Sequence, residues 1–279
     1  MLKTRVITAV LILAAFLPSL FFLPQRYWAL LAAVIVGVAA WEWGGLIRLG
    51  AAGRMAYGLF TAAVCVLIAV LAPAAIGDGG PGLPAFPGVL AVYGLTVVFW
   101  GAVAPLWLRN KWRAARPGFG SLVGLVVIVP AWLALVQLRL LGPAVLLAIL
   151  AVVWMADIAA YVAGKNFGKH KLAPSISPGK TWEGALGACL GVLLYGLAMR
   201  YVFAVDGISL GLWLLGLLLV TVVSVVGDLF ESLLKRQAGL KDSSHILPGH
   251  GGVLDRIDSL TSTLPTVALL WLIFASPSA

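Results

Sequence analysis

Between Ser232 and Asp258 the sequence gathers Lys235, Arg236, Lys241, Asp242, His250, Asp255, Arg256 and Asp258 into one short span, with Gly251 and Gly252 among them. Charges of both signs beside glycines point to a site where carboxylates hold a cation and cationic side chains hold phosphate. Asp255 and Asp258 are three residues apart where a helix is expected to begin, so they fall on one face and can share a cation or a cation pair. Just upstream, Ser224, Asp228, Glu231, Ser232 and Lys235 recur at helical intervals and form a stripe that starts inside an apolar run and ends at its edge. His250-Gly251-Gly252 has the backbone freedom to turn N–H groups toward an anion. Aspartates without neighbouring His or Cys ligands favour hard, oxygen-liking ions, so Mg²⁺ is expected ahead of Zn²⁺. Mg²⁺ beside Lys and Arg implies phosphate chemistry, in which positioning and charge neutralisation do most of the work. No Ser-His-Asp or Cys-His spacing argues for a nucleophilic hydrolase.

A second polar stretch comes earlier. Asp157 and Tyr161, four apart, share a helix face. A basic run follows from Lys165 to Lys171, and then Ser177-Pro178-Gly179-Lys180-Thr181-Trp182-Glu183. A carboxylate inside a span costs about 2.5–3.5 kcal/mol on insertion scales unless it faces a polar cavity, which singles out Asp157. Each of these residues also has a plainer reading. Ser177-Pro178 reads as a helix cap followed by Pro at the first helical position, and Glu183 as a complement to a helix dipole. Asp255 reads as an N-cap, Lys235 and Arg236 as a helix terminus, and Lys165 to Lys171 as an anchor on anionic headgroups. The convergence of so many at one surface argues for a site.

The elements that must position these groups are membrane helices. The chain has 279 residues, 62% of them hydrophobic and only 10% charged, and its mean hydropathy is +1.07, values far outside those of soluble globular domains. The fold class expected is an all-α integral membrane protein of about nine transmembrane helices, with its polar site at the ends of the C-terminal helices. The nine runs are Val6 to Leu23, Tyr27 to Ile47, Met55 to Ile76, Gly88 to Leu108, Leu122 to Leu138, Pro143 to Ala163, Trp182 to Phe203, Leu210 to Phe230 and Leu260 to Ala275. The first has a basic start, but its apolar run exceeds a signal peptide's and no A-x-A site follows, so it reads as a retained helix. With these spans, sixteen of the 19 Lys and Arg fall on one side, and Arg26, Arg139 and Arg200 on the other. That split puts the N-terminus and both polar loops, Gly164 to Thr181 and Glu231 to Ser259, on the cytoplasmic side of the plasma (inner) membrane.

The chain reads as a single polytopic domain, residues 1–140 supplying apolar helices and residues 141–279 the catalytic helices and loops. The net charge of +9 does not indicate nucleic acid, because the cations punctuate apolar runs and form no solvated patch. Cys65 and Cys189 sit in apolar runs and read as small hydrophobes. Gly77 to Pro87 is rich in breakers and reads as an irregular link. Glu42, in Trp-Glu-Trp at the inner end of the second span, reads as interfacial. No paired Gly-broken spans mark a transporter, and the charges collect at one surface only.

The segment Ser232-x-Leu-Lys-Arg-x4-Lys-Asp-x-Ser-x2-Leu-Pro-x-His-Gly-Gly-Val-x-Asp-Arg-Ile-Asp258 resembles the signature of the phosphatidate cytidylyltransferases, and Ser177 to Gly184 and Asp157 to Tyr161 are similar to that family as well. The resemblance covers roughly the C-terminal half. It implies transfer of a cytidylyl group from CTP to phosphatidate, with Mg²⁺ required, membrane lipid as substrate source and a homodimeric assembly. On that resemblance Asp228, Asp255 and Asp258 are expected to hold one or two metal ions, and Lys235, Arg236, Asp255 and Asp258 to be catalytic. Ser177, Lys180, Ser232, Lys241, His250, Gly251, Gly252 and Arg256 are expected to bind substrate phosphates. A CTP-using lipid kinase is the nearest competing reading. It would release CDP in place of pyrophosphate.

Overall fold

The structure is a computed structural model, and it describes residues 2–77, 87–114 and 117–274. Among these, nine helical spans are long and apolar enough to cross a membrane, as expected where a backbone in hydrocarbon must satisfy its own N–H and C=O groups. In chain order they are built from α1 (Leu2–Phe22), α2 (Gln25–Leu46), α3 (Ala51–Leu71), α4 (Pro87–Val98) with α5 (Ala104–Asn110), α6 (Pro117–Leu138), α7 (Pro143–Phe167), α8 (Trp182–Val202), α9 (Leu210–Ala238) and α10 (Leu254–Phe274). The link expected between Gly77 and Pro87 has its residues 78–86 outside the described part.

Helix α10 is the hub, packed against α9, α6, α4, α7 and α2, while α2 with α3 and α7 with α8 form close pairs. Small residues let α9 and α10 approach. A Cβ at Gly227 would stand 2.6 Å from Ser262 Oγ and 3.1 Å from the Asp258 carbonyl oxygen. Ser259 and Ser262 donate across the same seam to the carbonyls of Ser224 and Val223 at 3.3 and 2.8 Å. Such small-residue seams let helix backbones touch where lipid offers no hydrophobic drive.

The fourth span is not one straight helix. A π turn at Phe99–Val103 separates α4 from α5 and turns Phe99 and Trp100 inward. With Trp107 they ring Phe230 edge-to-face, at centroid distances of 5.6, 5.5 and 5.4 Å. This grip fixes α9 one residue before Glu231.

One polar stretch differs from expectation, and the other extends it. Gly164 to Thr181 is no simple loop: α7 continues to Phe167, and an antiparallel hairpin of β1 (Lys171–Ala173) and β2 (Ser177–Thr181) follows. Ile176 at its turn is buried in the main core. Ser177-Pro178 therefore lies in a strand, and the cap of α8 is Thr181, whose hydroxyl accepts the Gly184 N–H at 3.1 Å. Helix α9 continues past the apolar run to Ala238 and α10 starts at Leu254, so Glu231, Lys235, Asp255 and Asp258 are all helical, as their spacing indicated. Gly239, at φ +78°, ends α9 in the left-handed conformation.

Hydrogen bonds divide the two ends of the bundle. Thr8 Oγ1 donates to the Pro248 carbonyl at 3.0 Å, Arg48 to that of Gln237 at 2.6 Å, and Gln237 to that of Trp112 at 2.8 Å. These bonds bring the start of α1, the α2–α3 turn, the end of α5 and the α9–α10 loop to one end. At the other end Arg139 donates to the carbonyls of Leu20 and Leu23 and to Gln25 Oε1, which makes it a structural cation.

Candidate active site

The loop between α9 and α10, residues 239–253, is stitched down by two buried carboxylates. Glu42 of α2 is fully buried, contrary to its interfacial reading. Its Oε1 accepts from Ser244 Oγ at 2.5 Å and Val253 N at 3.0 Å, and its Oε2 from Leu254 N at 2.6 Å and Ser243 Oγ at 3.2 Å. It thus caps the N-terminus of α10 from another helix, where a carboxylate also meets the positive end of the helix dipole. The second carboxylate is Asp255. Its Oδ2 accepts from Gly252 N at 2.8 Å and from Ser243 N and Oγ, both at 2.9 Å. The Ser243 hydroxyl has one proton, and the shorter contact favours Asp255. Gly252 is required here, because a Cβ would run into Ser243 Oγ and the Glu42 carboxylate.

Lys235 completes this inner network. Buried at 9% exposure, its ammonium lies 2.7 Å from Asp255 Oδ1 and 2.5 Å from Glu231 Oε2. A buried charge holds its place only when paired. Both Asp255 oxygens thus accept from the protein, Oδ2 from three donors and Oδ1 from Lys235 alone. In the turn expected to cradle an anion, two of the three N–H groups have protein acceptors. Gly252 N is given to Asp255, and His250 N donates to the Leu247 carbonyl at 2.8 Å. Gly249 of the same turn rests against Arg5 of α1.

A second group of polar residues faces outward between α7, the hairpin, α9 and α10. Lys180 of β2 forms an ion pair with Asp228 Oδ2, and Ser232 Oγ donates to Asp228 Oδ1 at 3.3 Å. Asp157 lies within electrostatic reach of Asp228, Lys180 and Arg256. Asp258 lies within reach of Asp228, Lys235 and Lys180, and its Oδ1 accepts the Ser259 N–H at 2.7 Å. Carboxylates from three helices thus lie within electrostatic reach of one lysine, Lys180, which pairs with Asp228 at the end of the bundle that holds the loop. This groove includes Lys180, Asp228, Ser232, Arg256 and Asp258 of the expected set, and adds Asp157.

The rest of the expected set lies elsewhere. Arg236 turns its guanidinium to the carbonyls of Ile176 and Leu240 and lines a separate cavity. Lys241 is exposed on the loop. Ser177 pairs in register with Ala173 across the hairpin. Glu183 does more than face a helix dipole: it accepts the His170 N–H and lies 2.7 Å from His170 Nδ1, which fastens the hairpin to the first turn of α8.

Among the described residues no three His, Cys, Asp or Glu side chains could hold a metal ion by themselves. Mg²⁺ does not need such a cage, since it is commonly held by one or two carboxylates together with substrate phosphates and water. Asp228 and Asp258 suit that role chemically, with Asp157 beside them and a cation already drawn among them. Asp255 keeps a lone pair on Oδ1, whose one donor among the described residues is Lys235.

The model of the cytidylyltransferase family matches residues 3–274. The chain belongs to the cytidylyltransferase family. It is 44% identical to the phosphatidate cytidylyltransferase of Pseudomonas aeruginosa over 97% of both chains. It is 34% identical to that of Haemophilus influenzae over 95% of this chain and 96% of the other. The likeness to the Brucella suis enzyme, 42% identity, covers 66% of this chain and 67% of the other. The cytidylyltransferase match spans the N-terminal helices too, and in the fold these contribute Glu42.

Proposed function

We propose that this chain transfers a cytidylyl group from CTP to phosphatidate, giving CDP-diacylglycerol and pyrophosphate. The observation that carries the reading is the groove of Asp157, Asp228 and Asp258 around Lys180, at the end of a membrane bundle, in a chain of the cytidylyltransferase family. A site at the ends of spanning helices can take acyl chains sideways from the bilayer while a nucleotide arrives from water.

In the reaction, an oxygen of the phosphatidate phosphate forms a bond to the α-phosphorus of CTP. The bond from that phosphorus to the β-bridging oxygen breaks, and pyrophosphate leaves. The attacking oxygen is already anionic, so no general base is needed, and the side chains have only to position and neutralise. Lys180 and Arg256 would face the phosphates, Ser232 would orient Asp228, and Glu42, Asp255 and Lys235 would hold the loop that sets the start of α10. Asp228 and Asp258 would hold Mg²⁺, which when bound supplies charge neutralisation at the phosphates.

The reading extends to a cytoplasmic site and N-terminus, supported by the Lys and Arg asymmetry, and to a homodimer. A cysteine introduced at Lys169 should react with a membrane-impermeant thiol reagent only from the cytoplasmic side.

The deciding experiment incubates detergent-purified chain with CTP labelled at the α-phosphate, phosphatidate and Mg²⁺. Label entering the lipid with release of pyrophosphate is the expected result. Release of CDP with transfer of the γ-phosphoryl would make the chain a lipid kinase instead.

A further inference from the structure

Beside the acidic groove, at the same end of the bundle, lies a cavity of about 340 Å³ lined by Leu46, Ile47, Arg48, Arg113, Ala114, Arg236 and Gln237. It sits where the end of α2, the link from α5 to α6 and the end of α9 meet. Its volume is that of a small-molecule site, and its lining holds three guanidinium groups and no carboxylate. None of the three pairs with an acid among the described residues. A guanidinium carries five N–H donors. Here Arg48 gives one to the Gln237 carbonyl at 2.6 Å, and Arg236 gives two, to Ile176 and Leu240, at 3.4 and 3.3 Å. Arg113 gives none to the protein among the described residues.

Two further features mark the place as built. Gln237 spends its amide N–H groups on the Lys111 and Trp112 carbonyls, while its Oε1 is buried without a donor. Arg48 and Lys111, on either flank, both hold positive φ, at 62° and 52°, a strained conformation for residues with a Cβ. Unneutralised arginines in a concave site are suited to bind phosphate oxygens, where the planar fork can engage two at once.

Helix α9 carries residues of both the cavity and the groove. Arg236 is two turns of α9 beyond Asp228, about 12 Å along the axis. Its Nε donates to Ile176 of the hairpin whose Lys180 pairs with Asp228. An elongated polyphosphate can therefore have one end in the cavity and the other at the carboxylates.

We infer that this arginine-lined cavity holds the β- and γ-phosphates of the nucleotide substrate, the part that departs as pyrophosphate, while the α-phosphate lies at the acidic groove with the lipid phosphate. The inference rests on the reading of the chain as a user of CTP. It sorts the substrates: Arg48, Arg113 and Arg236 serve the nucleotide, and Lys180 and Arg256 serve the lipid side.

The test measures KM for CTP and for phosphatidate, and the inhibition constant of inorganic pyrophosphate, in wild type, Arg113→Gln and Arg48→Gln. Arg113 has no side-chain hydrogen bond or ion pair to lose among the described residues, so its variant keeps the fold readable even where Arg48→Gln does not. The expected result is a KM for CTP and a pyrophosphate inhibition constant each raised about tenfold per arginine, with KM for phosphatidate unchanged. Binding of pyrophosphate to the purified chain, read by calorimetry without turnover, should weaken in parallel. Unchanged values for CTP and pyrophosphate in Arg113→Gln would overturn the inference. So would an effect of the variants that appears only in nanodiscs containing anionic lipid, since the cavity would then hold a lipid headgroup. Failure of the wild type to label lipid at all would sink the proposed function, a separate outcome from either.

Discussion

Replacing Glu42 by Ala tests whether a residue of the second helix governs the active-site loop. The substitution removes the acceptor for two buried backbone N–H groups, those of Val253 and Leu254, and for the Ser244 hydroxyl. The hydroxyl can turn elsewhere, but the two amides cannot. At about 1–3 kcal/mol for each orphaned donor, local stability of the loop falls by about 2–6 kcal/mol. Since each 1.4 kcal/mol is a factor of ten, opening of the loop should become at least about thirtyfold more frequent. Glu42→Gln should fall between wild type and Ala. Whichever way the amide is placed, its NH₂ faces one of the two backbone N–H groups and its oxygen serves the other. Hydrogen exchange by mass spectrometry over residues 239–254 reads the opening directly, and formation of CDP-diacylglycerol reads its consequence. If Glu42→Ala left both exchange and rate at wild-type values in folded protein, the stitching argument would be refuted.

Asp255→Asn and Asp258→Asn should part company. The first breaks the buried pair with Lys235 and should cost about 3–5 kcal/mol of stability, seen as a lowered unfolding midpoint; the second should leave the midpoint near normal and cut Mg²⁺-dependent product formation at least a hundredfold. Gly227→Ala should strain the α9–α10 seam by about 1–3 kcal/mol and reduce activity by displacing Asp228 from Asp258, and adding Ser262→Ala should restore part of both. Chelating divalent ions should stop label transfer while leaving thermal unfolding unchanged, because no protein cage closes around an ion among the described residues, and Mg²⁺ should restore it.

The nine spans were legible because hydropathy alone dictates them, and each apolar run found a helix. At the ends of α9 and α10 hydropathy gave out, because Glu231, Lys235, Asp255 and Asp258 interrupt the apolar pattern, and it was the helical spacing of these charges that extended the helices. The pairing of Lys235 with Glu231 and Asp255 makes those three tolerable inside helices. The hairpin left no trace, since Ser-Pro-Gly-Lys-Thr has neither alternation nor β-branched weight. Glu42 was misread for a physical reason. Flanking tryptophans usually mark a membrane interface, but Trp43 is buried, and the groups that satisfy the carboxylate lie some two hundred positions away in sequence. The small residues Ser224, Gly227, Ser259 and Ser262 form the seam where α9 and α10 touch. In the site, residue type was more readable than role. Lys180 pairs with Asp228 and lies within electrostatic reach of Asp258, whereas Asp255 and Lys235, of the same chemistry, pair with each other.

The reach of Glu42 bears on how the protein is made. Helices enter the bilayer in order of synthesis, and α2 is in place long before α10. Until the last helix arrives, the carboxylate on α2 has none of the partners that will satisfy it, and the loop has nothing to close upon. The reactive surface is thus assembled at the final step of insertion, and a chain cut short before that step carries the earlier helices without a working centre.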